Sequence, residues 1–170
     1  VAADPDSLRG AFENAVRLSD AAAVLRMIRE KPQLSREVTR KRLSSYTKGS
    51  LAADLESARF VASRHAEALG DSFYVRLVAR VAAMTPAEIA MRRRAADALG
   101  KANDEYAAFR SPQAIAAYRD CVRLAEAVRD PLLDGEGLNG LGRAAYALAR
   151  YGEADSLYRR ALSVAEAWGD

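Results

Sequence analysis

The chain has 170 residues, half of them hydrophobic, so it can bury a core of the size found in one domain or one short helical array. Its formal net charge is only +3, and no apolar run approaches the roughly 20 residues that span a bilayer, which excludes a membrane-spanning chain. A single cysteine excludes an internal disulfide and a cysteine-built metal cluster, and it indicates a reducing, cytoplasmic compartment.

Proline marks the beginning of several predicted helices. Proline lacks the N–H that the first helical turn leaves unpaired, so a capping residue followed by proline predicts a helix start. Four of the five prolines stand in such a pair: Asp4-Pro5, Thr85-Pro86, Ser111-Pro112 and Asp130-Pro131. Thr85 also has Glu88 three residues later, the spacing of a reciprocal capping box.

The composition and the positions of helix-breaking residues together predict an all-α fold. Ala, Leu, Arg and Glu dominate the chain, and short links between the periodic segments indicate antiparallel helix hairpins. The segments predicted to be helical are 5–18, 20–30, 34–48, 51–69, 72–84, 86–109, 112–129, 132–149 and 153–168.

Residues 1–50 are predicted to form a basic helical segment, with irregular repeats as the alternative arrangement. Between Arg26 and Lys48, eight basic residues stand against two acidic ones, a local excess of +6. The scarcity of interleaved aromatic residues favours a solvated helix face. The alternative is a phosphate- or nucleic-acid-binding surface centred on Arg36, Arg40, Lys41 and Arg42.

Residues 51–94 are predicted to be an irregular helical repeat region. The sequence from Ala66 to Asp71 matches the last six residues of the chain at all but one position, but its spacing from the later copies is uneven. His65 lies on the apolar side of its helix without a second metal-binding side chain one turn away, so it is interpreted as a partly buried packing residue. A second basic cluster, Arg92 to Arg94, is predicted to project from several sides of a long helix.

Residues 95–170 contain an internal repeat. A shift of 40 residues places 95–130 over 135–170 without a gap, and 11 of the 36 paired positions are identical. The pairs include Gly100/Gly140, Tyr106/Tyr146, Tyr118/Tyr158 and Asp130/Asp170. Apolar residues fall on one helical face at the same points of both copies, which predicts two 40-residue helical repeats.

The second copy resembles the tetratricopeptide repeat (TPR) family, in the long-period form common in bacterial arrays. The resemblance depends on Leu138, Leu141-Gly142, Tyr151, Ala154, Tyr158 and Ala161-Leu162, which have the family's spacing. Two positions depart from the family's pattern. Ala149 replaces the glycine usual at the turn between paired helices, and Lys101-Ala102 replaces the Leu-Gly expected in the first copy.

The resemblance implies a right-handed superhelix, an α-solenoid whose first helices line a concave groove for a peptide or partner helix. The groove positions that it implies are Leu99, Asn103 and Tyr106 in one copy and Glu136, Asn139, Arg143 and Tyr146 in the next. The tyrosines are equally consistent with packing between helices. The expected function is a non-enzymatic scaffold for a protein or peptide partner, or for an adjacent domain of the same longer protein.

Two sequence signals are typical of other functions. Residues 135–140 have the G-x-G-x-x-G spacing of a dinucleotide site, but the preceding segment is predicted to be helical rather than a strand, so the glycines are interpreted as the loose start of a repeat helix and no cofactor is expected. Cys121 matches Ala161 in the next copy and is interpreted as a small core residue. Without an acid, base or nucleophile set, catalysis is not expected.

The chain ends in SVAEAWGD, and the last seven of these residues occupy the position that LAEAVRD occupies one repeat earlier. In that earlier copy the aspartate, Asp130, is predicted to cap the following helix, so Asp170 is interpreted as the cap of a helix that the chain does not contain. Trp168 is therefore expected to be partly exposed or covered by a neighbouring molecule. Since Val1 stands where an initiator methionine would be expected, we interpret the chain as a piece of a larger protein, from which an export signal could be missing.

Overall fold

The computed structural model describes residues 5–49 and 52–169, and within these ranges every regular element is an α-helix. The prediction of an all-α fold is thereby confirmed. Apart from residue 51 and the cap Asp4, which lie outside the described residues, the predicted helix ends lie within two residues of the observed ones. The helices are α1 Pro5–Arg17, α2 Ala21–Glu30, α3 Gln33–Thr47, α4 Ala52–Leu69, α5 Phe73–Ala82, α6 Pro86–Ala107, α7 Ser111–Ala127, α8 Pro131–Ala147 and α9 Tyr151–Gly169.

The chain divides into two compact units between Ala82 and Ala83. Unit 1 contains α1 to α5 and unit 2 contains α6 to α9. The division falls inside the segment 51–94 that was predicted to be irregular.

Unit 1 has a hydrophobic core built from one face of each of its first four helices. Phe12 of α1, Val24 and Ile28 of α2, Val38 of α3 and Val61 of α4 are buried together. Their spacing along each helix is the three-to-four-residue spacing that places apolar side chains on one face.

Unit 2 packs its helices in chain order, α6 on α7, α7 on α8 and α8 on α9, and α6 also contacts α8. Its core runs from Ala95 to Ala161 and includes Tyr118, Leu138 and Leu141. Small residues such as Ala95, which is fully buried, let neighbouring helix backbones approach closely.

The turns of unit 2 repeat one geometry every 20 residues. Phe109, Arg129 and Ala149 have φ values of 58°, 52° and 58°, in the left-handed region. At each turn the following N–H bonds the carbonyl five residues back, as Arg110 N does with Glu105 O at 2.9 Å. This is the Schellman helix end, which usually has glycine at the left-handed position.

Two of the predicted caps are confirmed in the structure. Thr85 and Glu88 form the reciprocal capping box, and Asp130 Oδ1 accepts hydrogen bonds from Leu132 N and Leu133 N, both at 3.0 Å. The prediction that Ser111 caps α7 is wrong. Ser111 is already helical, because the carbonyl of Arg110 accepts the first helical bond, from Ala114 N at 3.0 Å.

The glycines of residues 135–140 are not the loose start of a helix. Gly137 and Gly140 are buried within α8, where side chains of α7 lie against them. A Cβ on Gly140 would lie 2.2 Å from the Tyr118 ring, and one on Gly137 would lie 2.8 Å from Val122. These glycines therefore allow close packing of α7 on α8, as Gly142 does for Tyr158 of α9.

Candidate interaction surface

Tyr118 connects three helices of unit 2. Its ring is fully buried against Gly140. Its hydroxyl donates a hydrogen bond to Asn103 Oδ1 of α6 at 2.7 Å and accepts one from Arg143 Nη2 of α8 at 3.3 Å. Burial raises the pKa of this hydroxyl, which keeps it protonated as a donor. The exposed side chains of Asn103 on α6 and Arg143 on α8 are thus held in place by the buried side chain of Tyr118 on α7.

Arg143 also lies over an aromatic ring of α6. Its guanidinium carbon is 5.3 Å from the ring centroid of half-buried Tyr106, within the range of a cation–π contact. Arg143 Nη2 is 3.5 Å from Asn103 Oδ1, so an amide, a guanidinium and a phenol ring meet at one place. Three of the predicted groove residues, Asn103, Tyr106 and Arg143, are therefore brought together.

Tyr146 extends this surface toward the end of α8. Its side chain is 61% exposed, and its ring contacts Tyr151 of α9 edge to face, with the centroids 5.2 Å apart. We call the surface formed by Asn103, Tyr106, Arg143 and Tyr146 the α6–α8 face.

The remaining predicted groove residues have different environments. Leu99 is only 8% exposed and belongs to the hydrophobic core, so it offers a partner little surface. Asn139 is exposed and Glu136 is half-buried, both on α8. The sequence pattern predicted that Tyr118 lies on a packing face. It did not predict that the Tyr118 hydroxyl connects the two copies. The glycine at position 140, in the middle of a helix, was the available signal that an aromatic ring lies there.

The basic segment of unit 1 is partly neutralised by acidic residues outside it. Arg36, Arg40 and Lys41 of α3 are exposed and Arg42 is half-buried. Lys41 Nζ lies 2.9 Å from Glu13 Oε1 of α1, and Arg42 Nη1 lies 3.1 Å from Asp54 Oδ1 of α4. The hydrogen bond from Lys41 lowers the pKa of the Glu13 carboxyl. At least two members of the proposed phosphate-binding set, Lys41 and Arg42, are thus already paired within unit 1.

Arg92 does not project from its helix as predicted. It is 3% exposed, and its Nε donates to Asp130 Oδ2 at 2.6 Å. Asp130, itself 1% exposed, uses its other oxygen to cap α8. A buried charge requires such a partner, so only Arg93 and Arg94 of this cluster are exposed.

His65 is a packing residue, although it is fully rather than partly buried. Its Nδ1 lies 2.7 Å from Ser35 Oγ, its Nε2 lies 3.3 Å from Asp71 Oδ2, and its ring contacts Tyr74 edge to face. Across the described residues, no three His, Cys, Asp or Glu side chains come together in a way that could hold a metal ion.

Cys121 is buried in the core of unit 2, as its match with Ala161 predicted. Burial raises the pKa of its thiol to about 12, so the nucleophilic thiolate is negligible near neutral pH. None of the helices in the described ranges combines the length and apolar character needed to cross a bilayer.

Comparison with models of known protein families, with curated proteins and with solved structures finds no significant match to this chain.

Proposed function

We propose that this chain is a non-enzymatic protein-interaction module of the TPR-like, right-handed α-solenoid kind, and that its α6–α8 face binds a peptide or partner helix. The observation that carries the proposal is the convergence of Asn103 and Arg143, 40 residues apart, on the hydroxyl of Tyr118. Equivalent positions of consecutive copies thus lie side by side on one surface, which is the arrangement that a repeat array uses to build an extended binding face.

The repeated turn geometry supports the same interpretation. Left-handed residues at 109, 129 and 149 separate consecutive helices at intervals of 20 residues, half of the 40-residue repeat. The contact between α6 and α8 brings first helices of neighbouring copies together. Both features are expected of stacked helix hairpins.

The chemistry of the α6–α8 face suits a peptide. An amide and a guanidinium can donate to backbone carbonyls, and tyrosine and arginine are the residue types that most often dominate interface energies. Because Tyr118 already holds Asn103 and Arg143 in place, little side-chain entropy is lost on binding.

The proposal is tested by selecting peptide ligands for the chain from a random displayed library and measuring their affinities for variants. Arg143→Glu combined with Tyr146→Ala should weaken the selected peptides by about a hundredfold or more, since truncated Arg and Tyr hot spots each cost about 2 kcal/mol. Affinity is measured by fluorescence anisotropy, and far-UV circular dichroism should show unchanged helicity.

The matched control is Arg123→Glu combined with Leu162→Ala. Arg123 is an exposed arginine of α7, and Leu162 of α9 is 58% exposed, close to the 61% of Tyr146. This control should bind as the native chain does. Equal binding by the Arg143/Tyr146 variant would remove the assignment of the α6–α8 face.

Nucleic-acid binding by the basic segment is the weaker alternative. Lys41 and Arg42 already pair with Glu13 and Asp54, so fewer cations remain to displace counterions from phosphates.

A further inference from the structure

Unit 2 contains a cavity of about 420 Å³ between the α7–α8 turn and α9. Its apolar wall includes Pro131, Val164, Ala167 and Trp168, and its polar wall includes Asp134 and Arg160. Trp168 is half-buried there, in agreement with the expected partial exposure, whereas Asp170 lies outside the described residues. The volume is in the range of small-molecule sites.

Asp134 is the feature of this cavity that packing does not explain. The residue is 8% exposed, and its Oδ1 is buried and accepts no hydrogen bond within the described part of the chain. Burial and the charges of Glu126 and Asp130, opposed by the charge of Arg160, raise its pKa to about 6. Near pH 7 the carboxyl is therefore mostly ionised while its buried Oδ1 has no donor, a costly state for a buried charge.

The two other described carboxylates that line the cavity are already engaged. Asp130 binds Arg92 and caps α8, and Glu126 binds Arg160. Arg129 is exposed on the turn. Among the described residues that line the cavity, Asp134 is thus the carboxylate that remains available to a ligand, and Arg160 is paired with Glu126.

We propose that this cavity binds a small organic cation, whose primary ammonium group pairs with the Asp134 carboxylate and whose apolar body packs against Trp168 and Val164. An ammonium supplies the charge-assisted donor that Asp134 lacks. Trp168 and Val164 supply the apolar surface that lines most small-molecule sites. The site uses α9 and the α7–α8 turn rather than the α6–α8 face, so it does not depend on the proposed function.

Trp168 is the only tryptophan of the chain, so its fluorescence reports on this cavity alone. The full chain is titrated at pH 7.5 with n-pentylammonium and, separately, with n-pentanol. The ammonium should give a saturable change in the emission of Trp168, and the alcohol should give none over the same concentrations.

Asp134→Asn should weaken n-pentylammonium by about tenfold or more, because the charged hydrogen bond is lost. The control Asp155→Asn changes an aspartate of α9 whose side chain is 61% exposed, and it should bind as the native chain does. As a second readout, NMR titration of the Asp134 carboxyl should show its pKa lowered by the ammonium.

The proposal is overturned by any of three results: no saturable change with n-pentylammonium, equal changes with n-pentanol, or equal affinity in Asp134→Asn. Should Asp134→Asn fail to fold, the comparison of ammonium with alcohol and the carboxyl titration of the native chain decide the matter.

Discussion

Asp134 illustrates how one buried group sets the pH dependence of a helical unit. Its folded-state pKa of about 6 lies above the ordinary value of 3.8. The folded chain therefore keeps this proton to higher pH than the unfolded chain does. Ionisation of Asp134 therefore destabilises the folded chain, and the full loss of stability is reached only at pH values above the folded-state pKa.

We expect Asp134→Asn to stabilise the chain at pH 7.5 by roughly 1–3 kcal/mol, since one pKa unit corresponds to about 1.4 kcal/mol. The gain should shrink as pH falls through about 6 and vanish below about pH 4, where the native carboxyl is neutral in both states. Urea unfolding of both proteins at the two extremes of pH measures the difference.

Asp155→Asn is the control for this comparison, because Asp155 is exposed and pairs with Arg159 on the same helix. Its effect should be small at both pH values. A gain for Asp134→Asn that is equal at pH 4 and pH 7.5 would contradict the assigned burial.

At the level of helices, two glycines that the 40-residue alignment treats as equivalent have different environments. Around Gly100 of α6, no atom lies within 4 Å of an added Cβ. At Gly140 of α8, the corresponding Cβ would lie 2.2 Å from the buried ring of Tyr118. Gly100 therefore only lowers the stability of its helix, whereas Gly140 allows α7 and α8 to pack closely.

We expect Gly100→Ala to stabilise the chain by about 0.5–1 kcal/mol, because alanine is the better helix former. Gly140→Ala should destabilise it by about 1–3 kcal/mol, because Tyr118 must move in a closely packed core. Chemical unfolding of the two variants measures both values. Stabilisation by both substitutions would show that the Tyr118 ring does not lie on α8 as described.

Most helices could be predicted because their apolar spacing and proline caps are local signals. The turns were harder to predict. Phe109, Arg129 and Ala149 adopt left-handed φ values without being glycine, so the usual marker of such a turn is absent. The glycines of α8 were misinterpreted for the opposite reason, since their role depends on side chains of α7 and α9 that no local pattern contains.

For the chain as a whole, each unit has its own hydrophobic core. The core cluster of unit 1 lies between Phe12 and Val61, and that of unit 2 between Ala95 and Ala161. We expect a fragment of residues 83–169 to fold alone, with helical circular dichroism and a cooperative thermal transition, because its core residues are all retained.

The same fragment carrying Leu138→Ala is the control. Leu138 is fully buried, so its truncation should cost about 2–5 kcal/mol and lower the transition temperature clearly. A fragment that shows little helicity, or a transition that Leu138→Ala leaves unchanged, would contradict an independent core.

The candidate site could be predicted only in part. The repeat register paired Asn103 with Arg143, and the family resemblance placed both residues in one groove with Tyr106; the structure brings these three together. The repeat register carried no information on how deeply each side chain is buried, so Leu99 was assigned to a surface although it lies in the core. It also carried none on the cavity beside Trp168, which depends on how α9 packs against the α7–α8 turn.

The ion pair between Arg92 and Asp130 limits how this sequence can change over evolutionary time. Both side chains are buried, and removing one partner of such a pair costs about 3–5 kcal/mol. Single substitutions at either position would therefore be selected against, whereas compensating double substitutions can survive. In a set of relatives, positions 92 and 130 would then co-vary, and that correlation alone would locate α6 beside the turn that begins α8.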